Sequence, residues 1–145
     1  MTYSILVIDD DLDTITLIGL MLQRRGFEVY KAQSGAEAFS FLAHTMPDLV
    51  LLDVMMPGMD GYEVCRRIKA NPLLNQLPVV MLSARAQPAS QMEGFRAGAI
   101  DYITKPISSA NLVTRLQAAL DRCAHDSKLA TSLCVAEFAL GDKIS

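Results

Sequence analysis

The sequence predicts an α/β domain whose five-stranded parallel sheet is covered by helices on both faces. Two observations support this fold class. Short, almost continuously apolar runs, which are typical of parallel strands buried on both faces, alternate with longer segments of helical period. Each apolar run is followed by one such segment, as crossover connections between parallel strands require. Right-handed crossovers then lead to a doubly wound sheet, for which 2-1-3-4-5 is a common order of five strands.

The predicted strands and helices are separated by turn and cap residues. The strands cover Ser4–Ile8, Phe27–Ala32, Leu49–Leu52, Val79–Leu82 and Tyr102–Thr104. The second strand alternates between apolar and polar residues, which is typical of an edge strand. The helices cover residues 12–25, 35–44, 61–70, 87–97 and 109–122. Ser34 can cap the second helix in a capping box with Glu37, and Pro72 stops the third. Gly26 and Gly98 suit the left-handed position after a helix.

The length and composition of the chain indicate one domain of ordinary globular type. Its 145 residues are close to the size of a single domain, which we place at 1–123, followed by a short C-terminal extension or linker at 124–145. The net charge of −3 and the lack of a basic stripe argue against direct nucleic-acid binding. The sequence shows no signal peptide, and no apolar run approaches the roughly 20 residues of a membrane span. Three cysteines without paired spacing fit a reduced, cytoplasmic protein.

The extension carries apolar residues at helical spacing, and these are Leu129, Leu133, Ala136 and Leu140. The sequence His-Asp-Ser at 125–127 offers a break and a cap before them. One interpretation is a frayed end, since a lone helix of this length is marginal in water. The other is a helix that contacts a partner or a second copy, or that begins a linker to a further domain.

Charged and hydroxyl side chains follow the predicted strands at their carboxyl ends. They are Asp9, Asp10 and Asp11 after the first strand, Asp53 after the third, Ser83 after the fourth and Lys105 after the fifth. In doubly wound sheets, ligands bind at this edge. Crowded carboxylates repel one another, and Mg²⁺, which prefers carboxylate and phosphate oxygens, relieves that repulsion. A lysine and a hydroxyl nearby can contact phosphoryl oxygens. This edge therefore predicts a site for phosphoryl transfer.

Four longer segments carry these residues, and they are Ile5–Asp11, Pro47–Gly61, Pro78–Ala84 and Gly98–Pro106. Through them the sequence, from Ser4 to about Arg122, resembles the receiver domains of two-component response regulators, which have a flavodoxin-like fold. The resemblance implies a domain that accepts a phosphoryl group from phosphohistidine on a sensor histidine kinase or a phosphotransfer protein. It also implies a signalling module rather than an enzyme. Its target would be a downstream protein or an output domain, and a phosphorylation-dependent homodimer is an alternative.

The resemblance also assigns roles to the acidic residues. It implies that Asp53 is the phosphoacceptor. Asp10, Asp53 and the backbone carbonyl of Met55 would bind Mg²⁺, with Asp9 acting through water. Asp11 is then left as a helix cap, a role for which Asp is favoured. A simpler interpretation of Asp53 is a turn-forming residue, although the segment after it already contains Pro and Gly.

Three further residues are implied to contact the phosphoryl group or to respond to it. Lys105 and Ser83 would bind phosphate oxygens, and the Lys105–Pro106 bond would be cis. Ser83 and Tyr102 would form a switch. Phosphorylation draws the Ser83 hydroxyl toward the acceptor, and Tyr102 then turns inward and reshapes the face built by the fourth helix, the fifth strand and the fifth helix. The simpler interpretations are an ordinary strand-end hydroxyl, an ordinary core aromatic and, for Phe95 on the same face, core packing.

Three other functions are alternatives. A phosphatase of the haloacid-dehalogenase type also phosphorylates a strand-end Asp, but it needs a second acid two residues later, where this chain has Met55. A dinucleotide-binding enzyme needs a G-x-G-x-x-G turn after the first strand, and the sequence has none there. A degenerate receiver that acts as a constitutive binding module would lack an acceptor, metal or lysine position, and all of these positions are filled.

Overall fold

Five parallel strands form one sheet in the computed structural model, which describes residues 2–124. The strands are β1 (Ser4–Ile8), β2 (Glu28–Ala32), β3 (Leu49–Leu52), β4 (Val79–Ser83) and β5 (Asp101–Thr104). Their order is β2-β1-β3-β4-β5, and every neighbouring pair is parallel. The predicted fold class and strand order are therefore confirmed, and β2 is an edge strand as its alternation indicates.

The helices follow the predicted order with small differences at their ends. They are α1 (Leu12–Gln23), α2 (Gly35–Leu42), α3 (Gly61–Ala70), α4 (Pro88–Ala97) and α5 (residues 109–124). The predicted end of α1 is two residues too late. The amides of Arg25 and Gly26 donate to carbonyls only three residues back, so the last turn is tighter than an α-helix. Gly26 then has the left-handed backbone predicted for it, with φ of 90°.

Caps set where the helices begin. The Ser34 hydroxyl accepts the amide N–H of Glu37 at 3.1 Å at the start of α2, as predicted. At the start of α1, Asp11 accepts the amide of Asp13 at 3.2 Å and the hydroxyl of Thr14 at 2.7 Å. The cap role left to Asp11 is therefore confirmed, and this carboxylate points into the helix start rather than into the acidic cluster.

The core consists of two apolar layers, one on each face of the sheet. Alternate residues of β1 enter different layers: Ile5 and Val7 pack with α1 and α5, whereas Leu6 and Ile8 pack with α2, α3 and α4. All four residues of β3 are buried, which explains why the central strands are continuously apolar. None of the helices in residues 2–124 has the length and apolarity that a membrane crossing requires.

One glycine brings the start of α3 against the end of β3. The amide of Gly61 donates to the carbonyl of Val54 at 2.9 Å. A Cβ on residue 61 would lie 2.3 Å from the carbonyl oxygen of Asp53 and 2.7 Å from the Cα of Val54. These neighbours are backbone atoms that cannot move aside. Gly61 therefore allows the close approach that holds the backbone of Asp53 in place.

The predicted extension at 124–145 is covered only at Ala124. Residues 125–145, with the helical pattern noted above, lie outside the described residues. The division into a domain at 1–123 and an extension therefore stays a prediction.

Candidate functional site

Three carboxylates meet at the carboxyl edge of the sheet. Asp9 and Asp10 follow β1, and Asp53 follows β3. Each offers an oxygen that lies within 4.8 Å of the oxygens of the other two. Asp9 and Asp53 are buried, whereas Asp10 is exposed. The structure thus brings together the acidic residues singled out in the sequence.

Backbone pairing holds two of these carboxylates side by side. Ile8 lies opposite Leu52 in the β1–β3 register, and the amide of Asp53 donates to the carbonyl of Ile8 at 2.9 Å. Asp9 and Asp53 are the next residues along the two strands, so the register places them next to each other. One oxygen of Asp9 also accepts the amide of Asp11 at 3.0 Å, which fixes the orientation of that side chain.

The Lys105 ammonium lies between the two buried carboxylates. Its Nζ is 3.3 Å from Oδ2 of Asp9 and 3.8 Å from Oδ1 of Asp53. Lys105 follows β5, and the Lys105–Pro106 bond is cis, as the resemblance implies. Within residues 2–124, a single ammonium faces three carboxylates here, so this part of the chain gives the cluster an excess of negative charge.

Burial and charge repulsion raise the pKa of Asp53 from its ordinary value of 3.8 to about 6. Burial makes the largest contribution, because it removes water from the ionised form. Repulsion by Asp9 adds to it, and Asp10 adds less. The Lys105 ammonium and the amide of Met55 act in the opposite direction and lower the pKa. A positive charge placed in the cluster would therefore favour the ionised form of Asp53.

The donor set of this cluster fits a divalent cation with a preference for oxygen. Among the residues that the structure describes, it consists of carboxylates with no nitrogen or sulfur ligand, which suits Mg²⁺ better than zinc or copper. The side chain of Met55 is half exposed, at 51%. Its thioether is not a ligand for such an ion, and the role of its backbone carbonyl as a ligand stays a prediction.

Ser83 and Tyr102 are linked through the backbone of Arg85. The hydroxyl oxygen of Ser83, which is fully buried, accepts the amide N–H of Arg85 at 3.1 Å. The hydroxyl of Tyr102 donates to the carbonyl of Arg85 at 2.8 Å. The two predicted switch residues therefore contact the same residue on the loop after β4. The side chain of Arg85 is exposed, so its backbone role could not be predicted from its chemistry.

Tyr102 already has the inward position that we expect from the sequence only after phosphorylation. The ring is buried and packs against α4 at Gly94. A Cβ on residue 94 would lie 2.8 Å from Cδ2 of Tyr102 and 2.9 Å from the sulfur of Met81. The absence of a side chain at Gly94 thus gives the ring its space. The neighbouring Phe95 is 49% exposed, so the interpretation of Phe95 as core packing is wrong.

Two further features near the site were not predicted. Arg115 of α5 pairs with Asp101 of β5 at 2.5 Å and also donates to the carbonyl of Tyr102 at 3.1 Å. An apolar groove of about 260 Å³ lies between α1 and the segment after β5, beside Lys105, with Leu17 and Leu112 among its lining residues. Each feature depends on the packing of separate elements, and no local pattern marks either of them.

Comparisons with known proteins place the chain in a well-populated family. A family model of the response regulator receiver domain matches residues 5–117. The chain is 39% identical over 119 residues to the phosphate regulon transcriptional regulatory protein PhoB of Pseudomonas aeruginosa, covering 82% of this chain and 52% of that protein. It is 41% identical over 124 residues to the transcriptional regulatory protein AfsQ1 of Streptomyces coelicolor, covering 86% of this chain and 54% of that protein. The chain thus spans about half the length of these curated relatives.

A solved structure gives the same result for the fold. The signal receiver domain of a signal transduction histidine kinase from Syntrophus aciditrophicus superposes with a TM-score of 0.77 at 34% identity, covering 82% of this chain and 90% of that one.

The raised pKa of Asp53 makes a prediction about stability in the absence of divalent cations. The folded state keeps the Asp53 proton up to about pH 6, whereas an ordinary Asp releases it near 3.8. The folded state therefore binds more protons in this window, and the free energy of unfolding should fall as the pH rises through it, by at most about 3 kcal/mol. Urea unfolding in EDTA at pH 4 and pH 7 measures this.

The matched control is Asp53→Asn, which keeps every other titrating group. The stability of the wild type relative to this variant should be higher at pH 4 than at pH 7. Equal differences at both pH values would contradict the raised pKa.

Proposed function

The chain belongs to the receiver-domain family of two-component response regulators, and we propose that it accepts a phosphoryl group on Asp53 and changes its α4–β5–α5 surface in response. The observation that carries this proposal is the cluster at the carboxyl edge of the sheet. A buried carboxylate, Asp53, lies beside two further carboxylates and within 3.8 Å of the Lys105 ammonium. Such a cluster matches the charges of a phosphoryl group and a divalent cation.

The Asp53 carboxylate is the nucleophile in this proposal. One of its oxygens forms a bond to phosphorus while the phosphorus–nitrogen bond of a donor phosphohistidine breaks. Lys105 stabilises the negative charge on the phosphoryl oxygens, since its ammonium already lies between Asp9 and Asp53. A Mg²⁺ ion bound by Asp10, Asp53 and the carbonyl of Met55, with Asp9 acting through water, would supply the remaining positive charge.

The chain acts as a signalling module rather than as an enzyme that turns over a separate substrate. An enzyme of the haloacid-dehalogenase type would need an acid two residues after the nucleophile. Met55 occupies that position, and its half-exposed thioether cannot transfer a proton. The product of the reaction is therefore the phosphorylated domain itself.

A sensor histidine kinase or a phosphotransfer protein is the donor that fits this surface. The apolar groove between α1 and the segment after β5 borders Lys105, so a protein docked there would lie next to the acceptor. The recipient is a downstream protein, an output domain or, as an alternative, a second copy of the chain. PhoB and AfsQ1 are transcriptional regulatory proteins by name and are about twice as long as the matched region, which supports an output domain. The receiver domain itself would occupy residues 1–123.

The signal travels from the acceptor to the surface through Arg85. Ser83 accepts the amide of Arg85, and its side chain would turn toward Asp53 to donate its hydroxyl to a phosphoryl oxygen, which moves the Ser83 oxygen away from that amide. Arg85 would lose that bond while its carbonyl still accepts the hydroxyl of Tyr102. The loop after β4, and with it the start of α4, would therefore shift relative to Tyr102. A charge-assisted hydrogen bond of about 1.5–3 kcal/mol corresponds to a population shift of roughly tenfold to a hundredfold.

Replacing the acceptor should abolish phosphorylation. With acetyl phosphate or phosphoramidate and Mg²⁺, the wild type should gain the mass of one phosphoryl group, and Asp53→Asn should gain none, because an amide cannot form the acyl phosphate. Intact-protein mass spectrometry measures this. Asp13→Asn, which changes an exposed carboxylate on α1, is the control and should be phosphorylated like the wild type. Phosphorylation of the Asp53→Asn variant would overturn the assignment of the acceptor.

Removing the exposed carboxylate should weaken metal binding without unfolding the domain. Asp10→Ala should lower the affinity for Mg²⁺ at least about tenfold, because it deletes a ligand, while relief of repulsion keeps the fold stable. Calorimetric titration with Mg²⁺ and urea unfolding measure the two effects. Asp13→Ala serves as the control in both. Equal Mg²⁺ affinity in Asp10→Ala and the wild type would place the metal elsewhere.

Deleting the Ser83 hydroxyl should separate phosphorylation from the surface response. Ser83→Ala should still bind beryllofluoride, a phosphoryl mimic, at Asp53. The change in the Tyr102 ring signals in NMR should nevertheless fall to less than about half of the wild-type change, because the hydrogen bond that pulls on Arg85 is missing. Ser40→Ala on the exposed face of α2 is the control. A Tyr102 response of full size in Ser83→Ala would refute the coupling. Sedimentation of the same samples would show whether a homodimer forms.

A further inference from the structure

A second apolar groove lies at the edge of the sheet opposite the acidic cluster. We call it the basal groove and define it by six of its lining residues, which are Tyr3, Met46, Leu73, Leu77, Leu120 and Ala124. It has a volume of about 340 Å³. Two large apolar side chains of the groove are exposed to solvent: the exposed fraction is 84% for Leu73 and 54% for Met46. An exposed apolar surface of this kind is typical of a site that another protein segment covers.

The last residue that the structure describes lies at the groove. Ala124 lines the groove and is the last residue of α5 that the structure describes. The sequence continues through residues 125–145, and its apolar residues at spacings of four, three and four are Leu129, Leu133, Ala136 and Leu140. Residues with this spacing share one face of a helix. The five residues from Ala124 to Leu129 can span up to about 17 Å.

We propose that residues 125–145 fold back and cover the basal groove with this apolar stripe. The groove supplies the apolar surface that a helix of this length needs, since such a helix is marginal when alone in water. The stripe in turn covers Leu73 and Met46. Covalent attachment keeps the local concentration of this segment high, which favours it over a second copy of the chain. The groove lies at the amino ends of the strands, away from Asp53, so the proposal does not depend on the phosphorylation chemistry.

Three methionines of nearly equal exposure allow an internally controlled test. Within residues 2–124 the exposed fractions are 54% for Met46, 51% for Met55 and 52% for Met92, and of these only Met46 lines the groove. Hydroxyl-radical footprinting of the full chain without Mg²⁺, read by mass spectrometry, measures the oxidation rate of each. If residues 125–145 cover the groove, Met46 should be oxidised at least about threefold more slowly than Met55 and Met92.

A triple and a double replacement in the full chain identify the covering face. Leu129→Ser, Leu133→Ser and Leu140→Ser together should raise the oxidation rate of Met46 to that of the two reference methionines. Val135→Ser with Phe138→Ser removes apolar residues from the other side of the predicted helix and should leave Met46 protected. Unchanged rates at Met55 and Met92 show that the domain remains folded in both variants.

Four outcomes would overturn the proposal. Met46 could react as fast as Met55 and Met92 in the wild type, or it could stay protected when the stripe is replaced. Loss of protection in the control variant alone would show that the opposite side of the predicted helix makes the contact. Protection that increases between two protein concentrations at least about tenfold apart would identify a second copy as the occupant.

Discussion

The register between β1 and β3 is the constraint on which the site depends. Because Ile8 lies opposite Leu52, the first residues beyond the two strands are buried carboxylates that stand side by side, Asp9 and Asp53. Parallel strands bring all their carboxyl ends to one edge, so Ser83 and Lys105 reach the same place from β4 and β5. A slip of one residue between β1 and β3 would turn the carboxylate of the slipped strand to the other face of the sheet. Gly61 secures the arrangement by letting α3 contact the backbone of Asp53.

The electrostatic balance of the cluster follows from this constraint. The Lys105 ammonium lies between Asp9 and Asp53, and the exposed Asp10 adds a further negative charge. Burial and then this imbalance raise the pKa of Asp53. A cluster arranged in this way is less stable than a neutral one at the same place, but it can bind positive charge strongly. The cost to the fold and the capacity for binding therefore have the same origin.

The hydrogen bonds that connect Ser83 and Tyr102 involve backbone groups as much as side chains. One residue, Arg85, uses its amide to contact Ser83 and its carbonyl to contact Tyr102. On the other side of Tyr102, Arg115 donates to its carbonyl and pairs with Asp101, so β5 is joined to α5. These contacts join the loop after β4, strand β5 and helix α5 through Tyr102. The absence of a side chain at Gly94 leaves the space that the aromatic ring occupies against α4.

Periodicity and side-chain chemistry are local properties, and they were enough to predict the fold class, the strand order, the cap at Ser34 and the acidic residues at the strand ends. They also predicted which charges would meet, because the topology of a parallel sheet decides which strand ends share an edge. The inward position of Tyr102, the peptide link at Arg85 and the basal groove were decided by the tertiary structure alone. Each depends on how separate elements pack together, and on a backbone group or an empty space that no side-chain pattern encodes. Even the end of α1 was set in this way, by a tight last turn that helical periodicity does not distinguish from a further turn of α-helix.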